Sequence, residues 1–114
     1  MDIRYPDAGM ELDHVEAFVA IVRRGGFTRA AETLHLSQPA ISRRVHLLEG
    51  ELGAPVFDRI RSGAVLTDAG RAFLPYAESM LASTRDGFDA VAALRGGTTA
   101  VSPWPSWAPS RARP

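Results

Sequence analysis

The 114-residue chain reads as a mainly α protein, a winged helix-turn-helix with a two-stranded β wing and a long C-terminal linker helix. Three observations predict this. Ser37 to Gly53 carries both ends of a helix and an apolar stripe at Ile41, Val45, Leu48 and Leu52. A short helical stretch stands directly before it, joined through His35-Leu36 alone. Two short β-like pieces around a polar tip follow it, and helical periodicity then resumes from Asp68 to Arg95.

The elements follow in order. Residues 1–10 read as a loose extension, with Pro6 and Gly9 and no periodicity. Residues 11–66 form the winged helix-turn-helix. Its first helix runs from Leu12 to Arg24, with Leu12, Val15, Phe18, Val19 and Val22 at helical spacing. Arg23 and Arg24 suit the negative end of the helix dipole, and Gly25-Gly26 stops the helix. The second helix spans Thr28 to Leu34, with Thr28 or the residue before it as cap. Its small Ala30-Ala31 pair lets another helix cross closely. A turn as short as His35-Leu36 forces a steep crossing, which is helix-turn-helix geometry.

The third helix is capped by Ser37, whose hydroxyl can accept a backbone N–H. Pro39 falls in its first turn, where a missing N–H costs little. Gly53 stands where a left-handed C-terminal residue is wanted. Gln38, Ser42, Arg43 and His46 lie off the apolar stripe. A helix that buries one stripe and offers Gln, Ser and Arg near its start is built like a DNA recognition helix. Gln pairs with adenine through two edge atoms, Arg with guanine, and Ser reaches phosphate. An amphipathic core helix with a solvated polar face is the plainer alternative.

Val56-Phe57 and Ala64-Val65-Leu66 read as the two wing strands, with Arg59 to Gly63 as the tip between them. Residues 67–95 form the linker helix. Thr67 caps it and Asp68 occupies its favourable first turn. Phe73, Ala77, Met80, Thr84, Gly87, Val91 and Leu94 recur at spacings of four and three, a heptad-like seam. Such a seam asks for a partner, most simply the same helix of a second chain. Pro75 predicts a kink near the second turn. Residues 96–114 are dominated by Gly, Pro, Ser and Thr and read as a disordered tail. Trp104 and Trp107 among its prolines are a weak polyproline-ligand pattern.

Composition excludes several classes. Formal net charge is zero, so nothing in the bulk announces a nucleic-acid binder, and any electrostatic case rests on placement. All 13 basic residues are arginine, the better side chain for forked contacts to phosphate and guanine. No apolar run approaches membrane-spanning length. The opening MDIRYPDAGM lacks the apolar stretch of a secretory signal. There is no cysteine, hence no disulfide framework and no thiolate metal site. These features predict a cytoplasmic protein.

Enzyme chemistry has no foothold: no glycine-rich phosphate loop, nucleophile elbow or zinc-protease helix is present. Glu49 and Glu51 are two apart on a helix and point to different faces. His35 and His46 have no third ligand at a familiar spacing, so no metal and no cofactor is expected.

FTRAAETLHLSQPAISRRVHLLEGELGAPVF (Phe27 to Phe57), followed by FDR (Phe57 to Arg59) and LTDAG (Leu66 to Gly70), resembles the N-terminal DNA-binding domain of LysR-type bacterial transcriptional regulators. The resemblance covers Glu11 to Arg95, including the Leu-Pro-Tyr-Ala stretch at Leu74 to Ala77. It implies a sequence-specific regulator bound to double-stranded DNA. Gln38, Pro39 and Arg43 would make base or groove contacts, and Thr28, Ser37 and Ser42 phosphate contacts. Arg59 would reach the minor groove from the wing; as an ordinary surface ion pair it would contribute little. The linker helix would join a homodimer through Phe73, Ala77, Met80, Val91 and Leu94, setting two recognition helices on successive major grooves.

The chain departs from the family pattern in places. Gly26 stands where Ser is usual before the second helix. Gly50 lies inside the recognition helix, at a cost of about 1 kcal/mol against Ala. Val65 replaces a frequent wing arginine. The family's effector-binding domain would follow the linker helix, and the sequence enters the Trp/Pro/Arg tail instead. The expectation is a truncated regulator, a fragment or a stand-alone DNA-binding domain, with no inducer site in this chain. A different class also fits: a protein-interaction module whose long helix captures longer relatives as heterodimers, or a non-functional remnant.

Overall fold

The computed structural model describes residues 10–58, 64–95 and Trp107. Four helices follow one another: α1 (Leu12–Arg24), α2 (Phe27–Leu34), α3 (Gln38–Leu52) and α4 (Asp68–Leu94). The hub is α1. Val15 and every residue from Ala17 to Ile21 are buried, so nearly the whole circumference of α1 is covered. It packs against α2, α3 and α4, whereas among the four described helices α4 packs only against α1. A helix that is apolar on all sides belongs in a core.

The aromatic centre joins elements distant in sequence. The Phe18 ring lies 5.5 Å from Phe57 and 5.7 Å from Phe73, and Phe27 lies 5.4 Å edge-on from Phe57. These separations and tilts are the favoured ones for aromatic pairs. The four rings come from α1, α2, the root of the wing and α4, so each element helps to fix the others.

The first three helices end in one way. The N–H groups of Gly26, Leu36 and Ala54 each reach back five residues, to the carbonyls of Ile21, Ala31 and Glu49. That bond goes with a left-handed residue just past the helix. Gly25 (φ 84°) and Gly53 (φ 77°) serve this way, and so does His35 at φ 58°. The sharp α2–α3 turn is therefore made by a histidine in a conformation that normally favours glycine. Ser37 caps α3 as expected, its Oγ accepting the Ala40 N–H at 3.2 Å. The cap of α2 differs from expectation. The helix starts one residue earlier than Thr28, Gly26 takes the cap position, and no side chain caps it.

At the wing, Phe57 and Leu66 form an antiparallel bridge. The Asp58 N–H donates to the Val65 carbonyl at 2.7 Å, and the Thr67 N–H to the Val56 carbonyl at 3.0 Å. This single bridge is the only β pairing among the described residues. The tip, with Arg59, lies outside them.

α4 begins on this pairing. The Thr67 hydroxyl donates to the Pro55 carbonyl at 2.6 Å and accepts the Gly70 N–H at 3.0 Å. Gly70 is buried, and a Cβ there would sit 2.2 Å from the Val56 carbonyl oxygen. The LTDAG run is thus a docking joint between wing and helix. The helix then runs on unbroken through Pro75.

The seam expected on α4 divides between buried and exposed positions. Ala77 is fully buried by its own chain, Leu81 nearly so, and Phe73 and Met80 are half-buried against the same core. Those positions are spent on α1 and its neighbours, so Ala77 has no surface left for a partner. Val91 (54% exposed) and Leu94 (88%) stay free, and Phe88 (53%) joins them. The tail reading also shifts at one point. Trp107 is half-buried and packs against the core; the rest of residues 96–114 lies outside the described residues.

Candidate nucleic-acid interface

One face of α3 is built inward and the opposite face outward. Ile41, Val45 and Leu48 are fully buried and Leu52 is half-buried, which anchors the helix on α1 and α2. Pro39, Arg43, His46 and Gly50, at spacings of four, three and four, are all exposed and share the opposite face. Pro39, Ser42, Arg43 and His46 line an open hollow of about 660 Å³, closed on one side by Glu49 and Pro55. Glu49 is held there because its carboxylate accepts the Val56 N–H at 2.9 Å.

The expected contact residues divide as follows. Thr28, at the start of α2, comes to Gln38, at the start of α3; the Thr28 hydroxyl points at the Gln38 amide oxygen at 3.5 Å. That separation is long, so neither group is committed to the other. Ser37 is exposed beside them. Its oxygen accepts the cap bond, which leaves its hydroxyl proton to donate outward. Ser42 is half-buried on the flank of the helix, at the edge of the hollow. Thr28, Ser37, Gln38 and Pro39 thus gather at the positive end of α3, where the backbone dipole favours an anion.

The two adjacent arginines have different fates. Arg44 is half-buried and turned to α1, with its guanidinium 3.9 Å from the Asp13 carboxylate. Arg43 is exposed and makes no hydrogen bond or ion pair among the described residues. Near Arg44, burial pushes the Glu16 carboxyl above its ordinary 4.5; Asp13 adds to this and Arg44 opposes it. The charge placement is therefore sorted: acids and Arg44 tie α3 to α1 on the inside, and Arg43 stands alone outside.

His46 was legible as an off-stripe residue but not as a partner of Arg43. The signal lay in its spacing of three from Arg43 and seven from Pro39. The wall supplied by Glu49 and Pro55 depends on the chain folding back after Gly53, which no local pattern reports. No described helix is long and apolar enough to cross a membrane.

The bacterial regulatory helix-turn-helix family named lysR matches this chain at residues 12–71. The chain is 40% identical over 87 residues to the RuBisCO operon transcriptional regulator of Allochromatium vinosum, covering 76% of this chain and 29% of that protein. It thus spans less than a third of that regulator's length. Among solved structures, it resembles a BenM DNA-binding domain complexed with catB site 1 DNA, with TM-score 0.72 and 32% identity over 78% of this chain and 99% of that one. A CbnR DNA-binding domain in a DNA complex gives TM-score 0.65 and 38% identity over 75% of this chain and 99% of that one. With its helix-turn-helix matched across more than half its length, the chain belongs to the lysR family of bacterial regulatory helix-turn-helix proteins.

Proposed function

We propose that this chain is a sequence-specific reader of double-stranded DNA that regulates transcription, working in a bacterial cytoplasm. The observation that carries the proposal is Arg43: an exposed, uncommitted guanidinium on the outward face of a helix whose opposite face is locked into the core. α3 enters the major groove, with Gln38, Pro39 and Arg43 against base edges. Thr28, Ser37 and Ser42 hold phosphates at the positive helix end and fix the register. The wing forms a two-stranded hairpin, and Arg59 at its tip reaches toward the minor groove. Relatives solved as DNA complexes support this reading. Two chains pair through the free end of α4, at Val91 and Leu94, and carry two recognition helices to a partly palindromic site.

The experiment is selection of genomic DNA fragments by the purified chain, at low and near-physiological salt, with Arg43→Ala alongside. The expected result is a two-fold-symmetric site that survives salt and disappears in the mutant. Affinity should fall by about 0.9 log unit per log of salt for each phosphate neutralised. Equal, salt-labile binding of every fragment by both proteins would overturn the proposal.

A second reading is a module that captures longer relatives through the same helix. The exposed Phe88, Val91 and Leu94 favour it. Under that reading Arg43→Ala keeps its partner, and the wild-type chain alone selects no site.

A further inference from the structure

We infer that the base-reading surface of α3 extends past Arg43 through His46 to Gly50, with His46 as a specificity-determining residue and Gly50 as a point of close approach. This rests on the reading of α3 as the DNA-reading helix. Pro39, Arg43, His46 and Gly50 form one exposed line along the helix. Neither Arg43 nor His46 makes a hydrogen bond or ion pair among the described residues, and both border the same hollow. From Arg43 to Gly50 the helix advances about 10 Å, roughly three base-pair steps. A helix that reads DNA only with its first two turns has no need of a bare second half.

Gly50 is the sharper observation. A glycine inside a helix weakens it relative to alanine. Gly50 lies in helical backbone and is exposed, and among the described residues no atom beyond its chain neighbours and its own helix backbone lies within 4 Å of where a Cβ would be, as is also true of Gly87 in α4. Gly70 is the contrast, since a Cβ there strikes the Val56 carbonyl oxygen. The fold demands glycine at 70 and does not demand it at 50. Glycine at 50 leaves the outward face of α3 open to the close approach of a surface outside the chain. One turn past His46, that surface is the sugar-phosphate backbone bordering the groove.

His46 offers a ring N–H donor to that groove. Its natural acceptor on a base edge is the N7 of a purine, which both guanine and adenine present in the major groove. Cytosine offers only a donor there and thymine only its O4, so His46 favours a purine at one position beside the base read by Arg43.

The test selects DNA from a randomised half-site library with four full-length proteins: wild type, Arg43→Ala, His46→Ala and Gly50→Ala. Circular dichroism melts are recorded for each. His46→Ala should keep the wild-type site except at one position, where the purine preference disappears, with affinity down about tenfold. Gly50→Ala should melt several degrees higher yet bind the wild-type site at least tenfold more weakly. A His46→Ala site identical to wild type at every position overturns the assignment of His46. A Gly50→Ala protein with raised melting temperature and undiminished affinity overturns the close approach. Wild type selecting a site that Arg43→Ala loses isolates those failures to this inference. Wild type selecting no site removes the reading of α3 and this inference together.

Discussion

From Asp68 to Leu81, α4 is part of the domain: Thr67 caps it onto the wing, Gly70 lets it press against Val56, and Phe73, Ala77 and Leu81 fill the core beside α1. From Thr84 to Leu94 the same apolar spacing continues, and Phe88, Val91 and Leu94 are exposed. The Thr84 hydroxyl donates to the Met80 carbonyl at 2.9 Å, so even this polar residue turns its hydrogen bond inward to the helix. The ion pairs of the two halves differ in the same way. Arg23 of α1 holds Glu78 at 2.8 Å in the packed half, while in the free half Arg85 faces only Asp89 of its own helix, at 3.9 Å. Periodicity identifies a face that wants covering. It does not say whether the cover comes from the same chain.

Mutations can break this contrast in order of their effect on domain stability. Gly70→Ala should be the most damaging, since a methyl cannot share space with the Val56 carbonyl oxygen 2.2 Å away. A loss of about 3 kcal/mol is expected from such overpacking, measured by urea unfolding. Met80→Asp comes next, at about 2 kcal/mol, because the carboxylate would enter the half-buried margin of the core. Unchanged stability there would mean that Met80 belongs to the free half after all. Thr67→Val keeps the shape and removes the cap, and should cost about 1–2 kcal/mol in the same assay.

A smaller effect tests the junction that holds α1 to α3. Glu16 has its folded-state pKa raised above 4.5, with burial as the leading cause. The folded protein therefore holds this proton more tightly than the unfolded chain does. Its contribution is fully present below pH 4.5 and is lost as pH rises through the folded-state value. Glu16→Gln should melt higher than wild type at pH 7, with the gap closing toward pH 4. A constant gap would mean that the carboxyl is not desolvated in the folded protein.

At the far end, Val91→Asp should change the stability of the unpaired domain by less than about 0.5 kcal/mol, because its site is exposed. On the proposed pairing its effect is the opposite of small: sedimentation should show monomers where wild type forms dimers. Dimers persisting in Val91→Asp would place the contact elsewhere. The two ends of one helix would then differ less than their exposures suggest.

Much of this was readable along the chain. Ser37 and Thr67 act as caps, Gly25 and Gly53 end their helices in the left-handed conformation, and Ile41, Val45 and Leu48 face inward. Capping and periodicity are local, set within four or five residues, so sequence suffices for them. The α2 cap was misplaced because Gly26 has no side chain to announce it. For the candidate site, Gln38 and Arg43 stood out by their positions off the apolar stripe, whereas Thr28, Ser37 and Pro39 entered as contacts only through the family resemblance. The pairing of His46 with Arg43 and the Glu49–Pro55 wall were not legible, because they depend on which face remains open once α1 and α2 have covered the other.

The sequence by itself determined the helices, most of their ends, the family and the polar residues off the apolar stripe of α3, since each follows from spacing or from a motif. Only the tertiary structure decided the rest. It made α1 the hub, separated Arg44 (tied to Asp13) from Arg43 (free), and divided α4 between core and solvent. The physical reason is the same in each case. Burial and pairing are properties of what stands opposite a side chain, and residues opposite one another in space, such as Phe18 and Phe73, are far apart along the chain.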